Sequence, residues 1–163
     1  MSQQEAVEVL AGYLEAGDFA WQRLSETTFE VELPGEKKLK TPCRLEVGVH
    51  ALGVRAFVAR NPDENHERVY RWLLENNMKT YGVAFGLDHH GDIYLDGRLP
   101  LDVVTPEGLD RLLGAVLTHA DGSFNTILEL GFASSIRKEW AWRNTRGEST
   151  RNLEAFRGWI EHD

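Results

Sequence analysis

Asp88, His89, His90 and Asp92 stand within five consecutive positions of the stretch FGLDHHGDIYLDGRLPL, residues 85–101. Neutral imidazole and carboxylate are ordinary ligands of zinc and manganese. A metal held there could activate water for hydrolysis. The same residues also make a hairpin turn. Asp88 can fold back on the N–H groups that follow it, Gly91 can take positive φ, and the histidines can sit at the exposed tip. Adjacent residues at a tip point in different directions, whereas a metal centre draws ligands from several elements and orients each with an outer partner. Turn chemistry accounts for every residue, so no metal is expected. Asp88, His89, His90 and Asp92 are the candidate ligands for the alternative, a small metal-dependent hydrolase.

Other catalytic arrangements fare no better. DHH is a metal-ligand motif of one group of phosphoesterases, but those need further Asp motifs and a longer, two-domain chain. A calcium loop wants its acid before the glycine, and here Gly91 precedes Asp92. His50, His66, His119 and His162 are scattered. With Ser25, Ser123 or Cys43 they form no nucleophile elbow. The glycines make no phosphate cradle. The expectation is a non-enzyme with no catalytic residue and no cofactor.

The chain has 163 residues, enough for one domain with a real core. Its net charge of −8 repels phosphate backbones and argues against nucleic-acid binding. No apolar run is long enough to span a bilayer. The first residues, MSQQEAVEVLAGYLEAG, carry Glu5, Glu8 and Glu15 and no Lys or Arg. No export signal is therefore expected, and with a lone cysteine a cytoplasmic location follows. Cys43 is expected to be a small buried residue.

The elements that must position these residues follow from periodicity. Ala6, Val7, Leu10, Tyr13 and Leu14 mark a first helix that Gly17 ends. Phe29, Val31 and Leu33 alternate as a strand up to a turn at Pro34-Gly35. Leu45, Val47 and Val49 predict a second strand, and Val54, Ala56 and Val58 a third, with Leu52-Gly53 as the tight connection between them. Asn61, Pro62 and Glu64 have the pattern of a capped helix start. Val69, Tyr70, Trp72, Leu73 and Leu74 give that helix a wide apolar face, and Asn76-Asn77 ends it. Strands are expected at 81–87 and 92–95, after which Leu99-Pro100-Leu101 leads away from the sheet. Thr105-Pro106-Glu107 opens a third helix whose stripe runs from Leu109 through Leu128 across Asp121-Gly122, read as one long helix.

The tail, residues 134–163, changes character. Arg137, Lys138, Trp140, Trp142 and Arg143 could contact nucleic acid, with Arg on phosphate and Trp stacked on bases. The favoured reading is packing on the core, on a partner or on a second copy, since Trp and Arg are enriched at interface centres. Trp140 and Trp142 are two apart and cannot share one narrow helix face. Trp140, Trp142, Arg137 and Arg143 are thus the candidate interface residues. A break is expected at Arg146-Gly147.

The order is α-β-β-β-α-β-β-α plus a C-terminal helical extension. Consecutive antiparallel strands with helices packed on them make an α+β domain. The expected division is a domain at 1–133 and an extension at 134–163 packed beside it.

The run YGVAFGLDHHGDIYLDGRLPLDVVTPEGLDRLLGAVLTHAD, residues 81–121, resembles the YbjN family, described as bacterial sensory transduction regulators. The resemblance extends over residues 6–132. It implies the fold of type III secretion chaperones, which are homodimers that bind extended segments of partner proteins. It brings no catalytic site. The expectation is a homodimeric, cytoplasmic interaction or regulatory protein, chaperone-like or sensory-regulatory, with an unidentified protein partner.

Overall fold

The structure, a computed structural model of the chain, describes residues 1–161. Helix α1 (Gln3–Ala16) leads into strands β1 (Ala20–Arg23), β2 (Thr28–Pro34), β3 (Lys40–Val47) and β4 (Ala51–Ala59). Helix α2 (His66–Asn76) follows, then β5 (Ala84–Leu87) and β6 (Ile93–Pro100). Helices α3 (Pro106–Gly131), α4 (Ala133–Arg146) and α5 (Arg157–Ile160) complete the chain. The strands form one antiparallel sheet in the order β1-β2-β3-β4-β6-β5. This is the α+β class expected from the sequence, with β1 added as a short edge strand.

Period two divides the sheet into two faces. Phe29, Val31, Leu33, Cys43, Leu45, Val54, Ala56 and Leu95 point inward and are buried. Helices α1 and α3 cover that face. α1 presents Ala6, Val7, Leu10 and Leu14 to it, and a capping box between Ser2 and Glu5 starts the helix. The outer face carries charge in cross-strand pairs: Arg44 with Glu30 at 3.5 Å, and Arg55 with Asp96 at 2.7 Å.

α3 is one continuous helix of 26 residues. Thr105 caps it by accepting the Gly108 N–H at 3.0 Å, with Pro106 in its first turn. Gly122 is exposed, so the helix crosses it without loss of a core contact. Gly147, at φ 68°, ends α4 where the weak point was expected.

Several local expectations give way. The β3–β4 connection lies at Gly48–His50, not at Leu52-Gly53. Val47 faces Leu52 across the ladder, and Gly48 donates to the Ala51 carbonyl at 2.8 Å. A turn at Leu52 would have taken a fully buried residue out of the core. Val49, expected inside, is 64% exposed in the turn instead. Leu99 and Pro100 do not leave the sheet but extend β6, opposite Leu52 and Ala51. Leu74 stands outside the buried face of α2.

The last concerns Asn61, Pro62 and Glu64, which do not start α2. That helix begins at His66, after Asn65 in the left-handed region at φ 54°. Residues 61–65 instead clamp the joint between α3 and α4. The N–H groups of Asp63 and Glu64 donate to the Gly131 carbonyl at 3.0 and 3.2 Å, and Asn65 Nδ2 donates to the Leu130 carbonyl at 3.0 Å. These satisfy carbonyls that the end of α3 leaves open. Glu64 then accepts from the first turn of α4.

Candidate functional site

The DHHGD segment forms the β5–β6 turn. Asp88 N–H donates to the Asp92 carbonyl at 3.1 Å, and Gly91 N–H to the Asp88 carbonyl at 3.0 Å. Asp88 Oδ1 accepts the N–H groups of His90 at 2.9 Å and Asp92 at 3.0 Å. Burial pushes the Asp88 carboxyl up, but these hydrogen bonds and the two histidines hold it below the ordinary carboxylate range. Gly91 takes φ 81°, open to glycine at no steric cost. Asp92 Oδ1 accepts the Asn61 N–H at 2.8 Å. Asn61 returns the contact through Nδ2 to the His90 carbonyl at 2.9 Å, and its Oδ1 meets His66 Nε2 at 3.2 Å. The rings of His89 and His90 lie 3.8 Å apart at the exposed tip. Among the described residues no three His, Cys, Asp or Glu side chains come together so as to hold a metal ion. The carboxylates of the motif serve the backbone of the turn and of the clamp.

The other candidates stay apart. His50 is exposed in the β3–β4 turn and His119 sits half-buried on α3, where burial lowers its pKa. Ser25 Oγ accepts the N–H groups of Thr27 and Thr28 in the β1–β2 turn. Ser123 is buried and donates to the Ala120 carbonyl. Cys43 is fully buried, and burial pushes its thiol up to about 12, far from a thiolate nucleophile. His162 lies outside the described residues.

In the tail, Trp140 packs against the core while Trp142 is 49% exposed, as their spacing requires. Their arginine neighbours have partners within the chain. Arg143 donates to Glu139 at 2.6 Å and to the Ser149 carbonyl at 2.9 Å. Arg137 lies over the Trp159 ring at 4.9 Å, and Arg146 over Trp142 at 4.8 Å.

Sequence reasoning missed the difference between the two edges of the sheet. On the β5 edge, Asn77 Oδ1 accepts the Phe85 N–H at 2.6 Å and Asn77 Nδ2 donates to the Phe85 carbonyl at 3.2 Å. One side-chain amide thus mimics a neighbouring strand and closes that edge. On the β1 edge no such cover exists among the described residues. Leu24 N–H pairs with the Thr28 carbonyl at 2.8 Å. The antiparallel alternation therefore turns the N–H groups of Arg23 and Trp21 away from β2, toward solvent. Trp21 of β1 lies diagonally across the ladder from Phe29 of β2, with ring centres 6.2 Å apart.

No helix among the described residues is long and apolar enough to cross a membrane. A protein of Mycobacterium leprae named only as uncharacterized is 54% identical over 133 residues, which is 82% of this chain and 72% of that protein. A Mycobacterium tuberculosis protein, likewise named as uncharacterized, is 57% identical over 126 residues, 77% of this chain and 69% of that one. In shape, the fold matches a chain in the crystal structure of the ExsC-ExsE complex with a TM-score of 0.59 at 20% identity, covering 78% of this chain and 97% of that one. The family described as "Putative bacterial sensory transduction regulator" matches residues 6–129, and the chain belongs to this family, YbjN.

Proposed function

We propose that the chain is a non-enzymatic regulatory protein of the YbjN type, chaperone-like or sensory-regulatory, that works by binding another protein. The observation that carries this reading is the open β1 edge opposite the closed β5 edge. A partner segment in extended form adds to such an edge through main-chain hydrogen bonds. The N–H groups of Trp21 and Arg23 are the donors it meets. Family membership and the fold shared with a chain of the ExsC-ExsE complex agree with a binding role.

The test begins with affinity capture of the tagged chain from its own cell lysate and identification of a stoichiometric partner. That partner, purified, is titrated against wild type, Arg23→Ala and Arg23→Pro. Both variants lose the Arg23 side chain, and only the proline loses the outward N–H. Binding kept by the alanine variant and lost by the proline variant is expected. Equal binding by the two sinks strand addition at β1. A turnover that disappears when His89 and His90 both become Ala would overturn the non-enzymatic reading itself.

The proposal extends to a cytoplasmic homodimer, with residues 134–163 as an extension that supplies the contact. Exposed Trp142, braced by Arg146, supports it. Sedimentation equilibrium of wild type and Trp142→Ala decides: a monomeric wild type removes the dimer, and a dimeric variant removes Trp142 from its interface.

A further inference from the structure

Beside the α3–α4 joint runs a groove of about 520 Å³. Its apolar wall is Phe57 of β4, Phe124 and Leu128 of α3, Phe132 at the joint, Ile136 of α4 and Leu153 of the tail. Small-molecule sites have volumes of roughly 300–1,000 Å³ and are likewise apolar with a few placed polar groups.

Lys38, Arg60, Ser135 and Glu139 bring polar atoms to this wall. Three of them are engaged. Arg60 donates to Asp63 at 2.7 Å, Ser135 Oγ donates to Asp63 at 2.7 Å, and Glu139 accepts from Arg143 at 2.6 Å. Lys38 differs. Its backbone is fixed, because Asp121 Oδ1 accepts the N–H groups of Lys37 at 2.8 Å and Lys38 at 2.9 Å. Its ammonium is held against two ring faces, 5.3 Å from the centre of Phe57 and 5.2 Å from that of Phe124. No carboxylate among the described residues pairs with it. Burial lowers its pKa, the mark of a cation that has lost water and gained no counter-ion. In a chain of net charge −8, an unpaired ammonium over an apolar groove is a local reversal of sign.

We infer that this groove binds a small amphiphilic carboxylate, its apolar chain against Phe124, Leu128, Phe132 and Ile136 and its head on Lys38 Nζ. A single ammonium suits a single negative charge. Glu139 on the same wall disfavours a multiply charged head. The site is independent of partner binding at β1.

Calorimetric titration of the full chain with decanoate, below its micelle concentration, tests the inference against 1-decanol, an uncharged probe of equal length. The variants are Lys38→Met, which keeps the apolar stem, and Leu128→Trp, which fills the groove. One decanoate per chain is expected, bound at least about tenfold more tightly than decanol, the scale of a hydrogen bond to a charged group. That preference disappears in Lys38→Met, and both probes are lost in Leu128→Trp. Absence of decanoate binding at millimolar concentration, equal affinity for the two probes in wild type, or undiminished preference in Lys38→Met overturns it. The comparison of probes on wild type needs no variant, so a misfolded variant leaves the outcome decisive.

Discussion

The Glu64 carboxylate caps a helix 70 residues further along the chain: it accepts the Ser134 N–H at 2.7 Å and the Ser134 hydroxyl at 2.9 Å. α4 has no side-chain cap of its own, and Glu64 satisfies part of its open first turn. The Ser134 N–H and hydroxyl hold the Glu64 carboxyl below its ordinary range. Next to it, the Arg60 guanidinium and Ser135 hydroxyl hold Asp63 at about 2. A carboxylate with a depressed folded-state pKa stabilises the fold above its unfolded pKa and loses that contribution as pH falls through the folded value. Melting temperature is therefore expected to fall as pH drops through the ordinary carboxylate range, with the Asp63 part lost progressively between that range and about 2. Thermal melts across that range check this: Glu64→Gln should melt lower at neutral pH and show a shallower acid slope. An unchanged slope would falsify the cap.

The β5–β6 turn separates its residues by role. Gly91→Ala puts a Cβ at φ 81°, and 2.5 Å from Asn61 Nδ2. It should destabilise the chain by about 1–2 kcal/mol or more. His89→Ala with His90→Ala removes two exposed rings and should change stability by no more than about 0.5 kcal/mol. Urea unfolding of the two variants gives the comparison. A large loss in the histidine pair would mean the rings hold something the turn does not require.

Asn77 guards the β5 edge. Asn77→Ala leaves the Phe85 N–H and carbonyl without partners and should cost about 1 kcal/mol or more. It should also open a second edge for pairing between copies. Sedimentation velocity at rising concentration would show association beyond that of wild type. Identical profiles would show that the edge is protected by other means.

Cys43 should be inert in the folded chain, since it is fully buried and its thiol is pushed up to about 12. Its reaction with an aromatic disulfide reagent is expected to proceed only through unfolding, speeding up with urea in step with loss of circular dichroism. Fast labelling in native buffer would contradict the burial.

The sequence by itself determined what depends on neighbours along the chain. Alternation at Phe29, Val31 and Leu33 and the stripe from Leu109 to Leu128 named their elements, because burial of one face imposes a period. Thr105-Pro106 started α3 where it stands, because that cap is complete within one turn. Asp88 and Gly91 made the turn that local chemistry predicted. Only the tertiary structure decided which of two locally equal uses a residue serves. Asn61 and Glu64 match a helix start, yet the β5–β6 turn takes the hydrogen bonds of Asn61, and the open ends of α3 and α4 take those of Glu64. Leu52-Gly53 matches a turn, yet the core claims Leu52. The unpaired ammonium of Lys38, the bidentate amide of Asn77 and the open edge of β1 have no trace in spacing. Each is defined by what lies across from it, and that proximity exists only once the chain has closed on itself.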